Sequence, residues 1–338
     1  MFRVALISRW HPHSQKPDER YVKKLLSFPE CSVRCVWDRD AKTAAAWAKE
    51  YNADFSTDLR QVVAREDVDG LIVTSNPSDH MEIYALAAEY GKHVFTEKVL
   101  SFHADEAKEI RRLVHESGIR FAIAFTRIGI PQLAYARRLL ADGVLGTPVM
   151  FRCLCGHAGG VRDNLPDYWY DPQLTGGGAM IDLGFNSAYL ARYIMGDVAS
   201  VSASFGYDIL HKPVEDCASC NVRFQSGAMG LLDATFDSAC LSVFELALYG
   251  TKGSYYARFG GGDMAELNID GEGRKPLDIA HLPSPVPDPV SVWYKACTEG
   301  GSVAPYDVDA AAQMVYFMNA AYESAARNGQ RVAVRGNE

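Results

Sequence analysis

Asp69-Gly-Leu-Ile-Val-Thr-Ser-Asn-Pro-Ser-Asp-His80 and, one helix later, Tyr90-Gly-Lys-His-Val-Phe-Thr-Glu-Lys-Val-Leu100 are two apolar strands, each running out into a polar turn. Residues 70–74 and 93–96 are the apolar runs, and 81–90 between them has helical spacing. A strand, a helix of about ten residues and a second strand make a βαβ unit, with parallel strands and a right-handed crossover. The same alternation extends both ways. Strands at 4–7 and 33–37 with helices at 19–27 and 41–51 precede it, and a helix at 105–117 and a strand at 120–125 follow. Residues 1–125 therefore read as an α/β domain with a doubly wound parallel sheet, whose ligands bind beyond the carboxyl ends of the strands.

After Pro131 the pattern changes. A helix at 132–142 leads through Gly146-Thr147-Pro148 into a strand at 149–155, and further strands fall at 201–207, 218–224, 228–236, 243–249 and 254–259. Several alternate with period two, and turns such as Gln225-Ser226-Gly227 and Gly250-Thr251-Lys252-Gly253 separate them. Residues 126–338 read as an α+β domain with a large, mostly antiparallel open sheet. Its helices are expected at 179–195 and 308–327, with 281–289 as a proline-rich loop.

The 338 residues carry a formal net charge of -8 and no basic block, which argues against a nucleic-acid backbone as partner. No run approaches the roughly 18 apolar residues of a membrane span, and the apolar start at Val4–Ile7 is short for a signal peptide, so a cytoplasmic setting is expected. Eight scattered cysteines do not form a disulfide framework. Cys217 and Cys220 make one CxxC within an expected strand, with His211 nearby; this falls short of a zinc ligand set, and no metal site is expected.

At the first strand's end a dinucleotide fold usually carries G-x-G-x-x-G. This chain has Ser8-Arg9-Trp10-His11-Pro12-His13 there, without a glycine. Two readings stay open. The hydroxyls of Ser8 or Ser14 and the Arg9 cation could hold phosphates at a helix N-terminus, with Trp10 and His11 lining the turn, or the turn is no phosphate site. Asp38 ends the second strand, where a carboxylate accepts from a ribose diol and repels a 2′-phosphate, favouring NAD over NADP. Adjacent Arg39 weakens that preference, and a helix cap is the plainer role for such an aspartate.

Thr74-Ser75-Asn76-Pro77 with His80, then Gly91-Lys92-His93-Val94 with Glu97-Lys98, closely resembles the Gfo/Idh/MocA family (glucose–fructose oxidoreductase, inositol dehydrogenase). Gly176-Gly177-Gly178-Ala179-Met180-Ile181-Asp182-Leu183-Gly184 resembles that family's second motif, and the likeness runs through the tail Gly329-Gln330-Arg331-Val332. The resemblance implies a Rossmann domain whose Thr74, Ser75, Asn76, His80, Glu97 and Lys98 line the cofactor cleft, followed by a substrate and oligomerisation domain. It further implies that the lysine handles the substrate proton together with the aspartate and histidine of the second motif. Lys98 and Asp182 are present, but the histidine position holds Asn186, and Val99 replaces the proline after the lysine.

The activity so implied is NAD(P)-dependent hydride transfer to or from a secondary hydroxyl of a sugar, polyol or glycoside. Lys98 would act as base, Asp182 would assist, and Asn186, which cannot take a proton near neutral pH, would orient the substrate. Tyr189, one turn beyond Asn186, could share the proton path or simply pack. Arg127, His157, Arg162, Asp163, Tyr168, Trp169 and Tyr170 offer the aromatic and polar groups a sugar needs, or else pack a core or a subunit contact. The family likeness implies a homo-oligomer, dimer or tetramer. Two alternatives remain: a redox-neutral enzyme that keeps NAD tightly bound and acts on glycosides, and a non-catalytic, ligand-sensing member of the fold.

Overall fold

The computed structural model describes residues 1–239, 243–283 and 285–336, and the chain divides into two compact units. The first holds Met1–Ala124 with Pro287–Val315, the second Phe125–Val286 with Tyr316–Glu338. The sequence alone places 287–315 with the second part.

In the first unit six strands form one parallel sheet in the order β3-β2-β1-β4-β5-β6. They are β1 Phe2–Ile7, β2 Cys31–Trp37, β3 Asp54–Ser56, β4 Gly70–Val73, β5 His93–Thr96 and β6 Phe121–Ile123. Val4 to Ile7 are fully buried along β1, as expected of a strand covered on both faces. The helices are α1 Arg20–Leu26, α2 Ala41–Tyr51, α3 Leu59–Val63, α4 His80–Glu89 and α5 Ala104–Ser117. Local chemistry sets their ends. Asp40 accepts from the Lys42 and Thr43 N–H groups at the start of α2, Asp58 caps α3, and Gly118 closes α5 in the left-handed region at φ 68°. Strand order reverses between β1 and β4, so their carboxyl ends border the crevice in which such sheets bind ligands.

In the second unit nine strands form a sheet in the order β14-β13-β12-β11-β7-β10-β9-β8-β15. They are β7 Pro148–Gly156, β8 Val198–Gly206, β9 Cys217–Phe224, β10 Met229–Thr235, β11 Val243–Gly250, β12 Gly253–Phe259, β13 Met264–Ile269, β14 Gly273–Pro276 and β15 Val332–Ala333. In this sheet only the β7–β10 pair is parallel among the described strands, so the sheet is mostly antiparallel, as expected. Alternation shows in β9, where Ala218, Cys220, Val222 and Phe224 point inward. The helices are α6 Pro131–Ala141, α7 Pro172–Thr175 and α8 Phe185–Met195, the last nearly all buried and preceded by a π-helical turn, Met180–Gly184.

Two helices complete the chain: α9 Pro289–Thr298 and α10 Val308–Ala326. Ser284, in the stretch read as a loop, lies outside the described residues, as do 240–242 and 337–338. A short 3-10 turn, Ile279–His281, overlaps the start of that stretch, and α9 begins at its last residue. The described cysteines are all free, and Cys240 is outside the described residues. Cys220 faces the core, where burial pushes its thiol up to about 12, and Cys217, an odd number of residues away, points to the other face. That geometry separates the CxxC thiols.

Candidate active site

The turn after β1 is built without glycine. Ser8 takes the left-handed conformation at φ 58°, donates its N–H to the Trp37 carbonyl at 2.8 Å, and accepts from Thr74 Oγ1 at 2.6 Å. The ends of β1, β2 and β4 are thereby tied together. Arg9 donates its N–H to Asp38 Oδ2 at 2.9 Å, and Asp40 donates to Asp38 Oδ1 at 3.0 Å. The Arg9 guanidinium turns away to Glu50 at 2.9 Å and Glu19 at 3.1 Å, and lies 5.4 Å from the Trp47 ring centre. Its charge is thus neutralised within the unit. Ser14 donates its hydroxyl to the His11 carbonyl at 2.7 Å. Trp10 is half-buried, its ring 6.2 Å from that of His11.

At the β4 end Thr74 and Ser75 are buried and Asn76 is half-buried. Ser75 Oγ has no hydrogen-bond partner among the described residues. His80 opens α4 fully buried, its Nδ1 3.1 Å from the Leu100 carbonyl oxygen, and burial pushes its pKa down to about 4. It is therefore neutral at physiological pH. Arg39 pairs with Asp79 at 2.6 Å, beside a cavity of about 420 Å³ lined by Trp37, Leu59, Arg60, Glu82 and Leu86.

β5 runs out into Glu97 and Lys98. Glu97 is only 2% exposed. Its Oε1 meets the His13 ring Nδ1 and accepts from the Tyr21 hydroxyl, with His11 Nδ1 3.7 Å away. Its Oε2 accepts from the Lys98 N–H at 2.6 Å. Burial works against the Glu97 charge, but His11 and His13 outweigh it and hold the carboxyl well below the usual range. Burial and that same carboxylate push the Tyr21 phenol well above its ordinary value. Lys98 is half-buried, and the Lys98–Val99 peptide is cis.

The second unit presents its own cluster on the π-helical turn. Asp182 Oδ2 accepts from the Trp169 indole N–H at 3.3 Å, and Asn186 Nδ2 donates to the Asp182 carbonyl at 3.3 Å. Glycine explains how that turn is seated. A Cβ on Gly178 would lie 2.1 Å from the Glu215 carbonyl oxygen, so only glycine allows this approach, while Ala179 donates to that oxygen at 2.8 Å. Buried Glu215 also accepts from the Met180 N–H at 2.9 Å and the Tyr322 hydroxyl at 2.6 Å, and burial raises its pKa. Glu215 and Tyr322 were not singled out by the sequence, because nothing local marks a pairing across 107 residues.

Tyr189 stacks on Phe125 at 4.5 Å and accepts from the Arg127 N–H at 2.6 Å, so its hydroxyl positions the Arg127 backbone. The Arg127 guanidinium lies over the Phe244 and Phe259 rings, at 5.8 and 5.9 Å, with Nε buried and unpartnered among the described residues. His157 stacks on Phe236 at 5.2 Å and accepts from the Gly159 N–H at 3.0 Å. Tyr168 is half-buried; Trp169 and Tyr170 are buried, with Lys212 4.7 Å over the Tyr170 ring. Arg162 and Asp163 are exposed.

Asp237 is a further group that sequence reasoning missed. Neither of its carboxylate oxygens has a hydrogen-bond partner among the described residues, and burial with the Asp216 charge raises its pKa to about 6. A raised folded-state pKa gives a stability contribution that is complete below the ordinary value of 3.8 and is lost as pH rises through about 6. Asp237→Asn is therefore expected to raise the melting temperature above about pH 7, with the gain fading below about pH 4. Melting curves across that range check it, and an equal shift at every pH would refute it.

Residues 15–125 match the family model described as oxidoreductase family, NAD-binding Rossmann fold, and residues 133–256 match the GFO/IDH/MocA C-terminal domain. Levoglucosan dehydrogenase of Pseudarthrobacter phenanthrenivorans is 24% identical over 88% of this chain and 89% of its own length. The scyllo-inositol 2-dehydrogenase (NAD(+)) of Bacillus subtilis is 27% identical over 70% of this chain and 69% of its own. A solved levoglucosan dehydrogenase in complex with NADH and L-sorbose superposes with a TM-score of 0.85 at 22% identity, covering 99% of both chains. At that identity the likeness is one of fold.

Proposed function

The chain belongs to the Gfo/Idh/MocA family of NAD-binding oxidoreductases, and on that footing we propose that it moves a hydride between NAD and a secondary hydroxyl of a sugar, polyol or glycoside, with Lys98 transferring the hydroxyl proton. The observation that carries this reading is the end of β5, where Lys98 follows the buried Glu97 and its own N–H is fixed by that carboxylate. A fixed backbone at the strand's carboxyl end is what a proton-transfer side chain needs for reproducible reach. Relatives named for levoglucosan, inositol and 1,5-anhydro-D-fructose support a hydroxyl-rich substrate.

The residues of the first unit fit the cofactor. Asp38 stands where a carboxylate meets a ribose diol, and Ser75 Oγ is a buried hydroxyl awaiting a partner at the β4 end. Thr74, Asn76, His80 and Glu97 complete the proposed set, with neutral His80 able to donate without adding charge. The β1 turn differs from the glycine-rich form. Its N–H groups at Arg9, His11 and Ser14 already bond to Asp38, Thr74 and His11, so Ser8, Arg9, Trp10 and His11 act by shaping the crevice. When bound, NAD supplies the hydride acceptor or donor.

In the second unit Asp182, held by Trp169, and Asn186 are proposed to orient the reacting hydroxyl, and Asn186 leaves the proton to Lys98. Arg127, His157, Tyr168 and Trp169 are the proposed sugar contacts, while Tyr189 supports Arg127. Fluorescence titration with NADH and NADPH, followed by a panel of polyols and glycosides, tests the reading. Saturable NADH binding with turnover of a polyol is expected, and failure to bind either nucleotide would overturn it. Asp38→Ser is expected to narrow the NADH-over-NADPH preference on the order of tenfold, because a like-charge repulsion of about 1.4 kcal/mol is removed. An unchanged ratio would remove Asp38 from the ribose site.

A further inference from the structure

We propose that His11, His13 and Glu97 form a binding site for one divalent metal ion of the zinc class. One nitrogen or oxygen from each of the three lies within 4.8 Å of the other two. Ligands bound at about 2.0–2.2 Å around a tetrahedral ion stand about 3.4 Å apart. His11 Nδ1 lies 3.7 Å from Glu97 Oε1, close to that spacing, while His13 Nδ1 hydrogen-bonds the same oxygen directly, a contact the ion would replace. Two imidazole nitrogens and one carboxylate oxygen are a donor set that suits zinc and its neighbours in the first transition row.

Local structure brings the donors together. His11 begins a 3-10 turn, Pro12–Ser14, which places the His11 and His13 rings 4.4 Å apart at 56° to one another. The turn is held from below by the His11 N–H on the Thr74 carbonyl at 3.0 Å and by the Ser14 hydroxyl on the His11 carbonyl. Glu97 arrives from the end of β5. Its second oxygen is pinned by the Lys98 N–H and its first is met by the Tyr21 hydroxyl, the outer-shell support that orients a ligating carboxylate.

Charge supplies the second argument. His11 Nδ1 accepts from the His13 N–H at 3.2 Å, a long hydrogen bond that a metal ion would displace in taking the same lone pair. That lone pair stands 3.7 Å from a carboxylate oxygen that is almost wholly buried. An ion there would neutralise the buried Glu97 carboxylate. His13, whose side chain is 27% exposed, leaves a path for the ion to enter, and water or another oxygen donor completes a fourth position. The glycine-poor turn after β1 then has a use of its own: a metal ties it to the end of β5. The site shares His11 and Glu97 with the proposed cofactor crevice, and His13 belongs to it alone.

Full-length protein stripped with a chelator and titrated with Zn²⁺ tests the proposal, with Co²⁺ as a spectroscopic probe. One ion per chain is expected, and Co²⁺ should develop the strong visible bands of a four-coordinate site. His13→Gln, on a half-exposed turn, and Glu97→Gln should each weaken binding by more than the roughly 10–100-fold that losing an outer-shell partner costs. His115→Gln and His281→Gln, at exposed histidines elsewhere, should leave it unchanged. Circular dichroism establishes folding, and His13→Gln decides the matter should Glu97→Gln unfold. No saturable binding, or binding indifferent to His13→Gln, would overturn the site without touching the NADH titration.

Discussion

Lys98→Ala is expected to lower kcat by about 10²–10⁴-fold, the range that a positioned proton-transfer group supplies, while NADH binding stays close to that of the parent chain. The expectation rests on what the other proposed catalytic residues can do. Asn186 can orient a hydroxyl but cannot hold its proton, and Asp182 is held by the Trp169 indole N–H. Deleting the lysine therefore leaves no equivalent group among the proposed catalytic residues. Lys98→Arg should not rescue turnover, because a guanidinium keeps its proton at any working pH. Asn186→His restores a titrating group, and its pH–rate profile should gain an inflection near neutrality that the parent lacks. Steady-state kinetics on folded variants check all three. Near-parental turnover by Lys98→Ala would remove the lysine from the chemistry.

Legibility in the sequence followed locality. The strands at the centre of the first sheet were readable because both faces are covered, so each is a continuous apolar run, and β9 was readable because one face alternates. β3 and α3, three and five residues long, were missed because neither spans enough residues for a period to show. Whether Arg9 meets a phosphate stayed open in the sequence because Glu19 and Glu50, which hold it, are ten and 41 residues away. Asp237 was invisible for the same reason, since its pKa is set by burial and by Asp216 rather than by any motif. The glycine triplet was legible as a pattern, yet its reason, the approach of the Glu215 backbone to Gly178, appears only in three dimensions.

The largest effect on stability is expected from Trp293→Ala, at about 3–5 kcal/mol, the cost of emptying a large buried aromatic site. Trp293 lies on α9, a helix hidden in the sequence behind prolines that read as a loop. Pro289 in fact occupies the first turn, and Asp288 caps it by accepting from the Ser291 N–H at 3.0 Å. The indole is fully buried, meets Phe2 edge-on at 5.3 Å, and donates to the Arg120 carbonyl at 3.2 Å. Tyr294 beside it stacks on Phe28 at 4.2 Å, and Lys24 pairs with Asp288 at 3.3 Å. The residue at the start of β4 is matched to this ring: a Cβ on Gly70 would lie 3.0 Å from Trp293 Cζ2. Gly70→Ala should therefore destabilise the parent chain by overpacking, yet cost much less in the Trp293→Ala background, where the methyl enters the vacated space. Urea unfolding of the two single variants and the double variant measures that coupling. Strict additivity would mean that α9 does not seat on β4, and 287–315 would then lose its place in the core of the first unit.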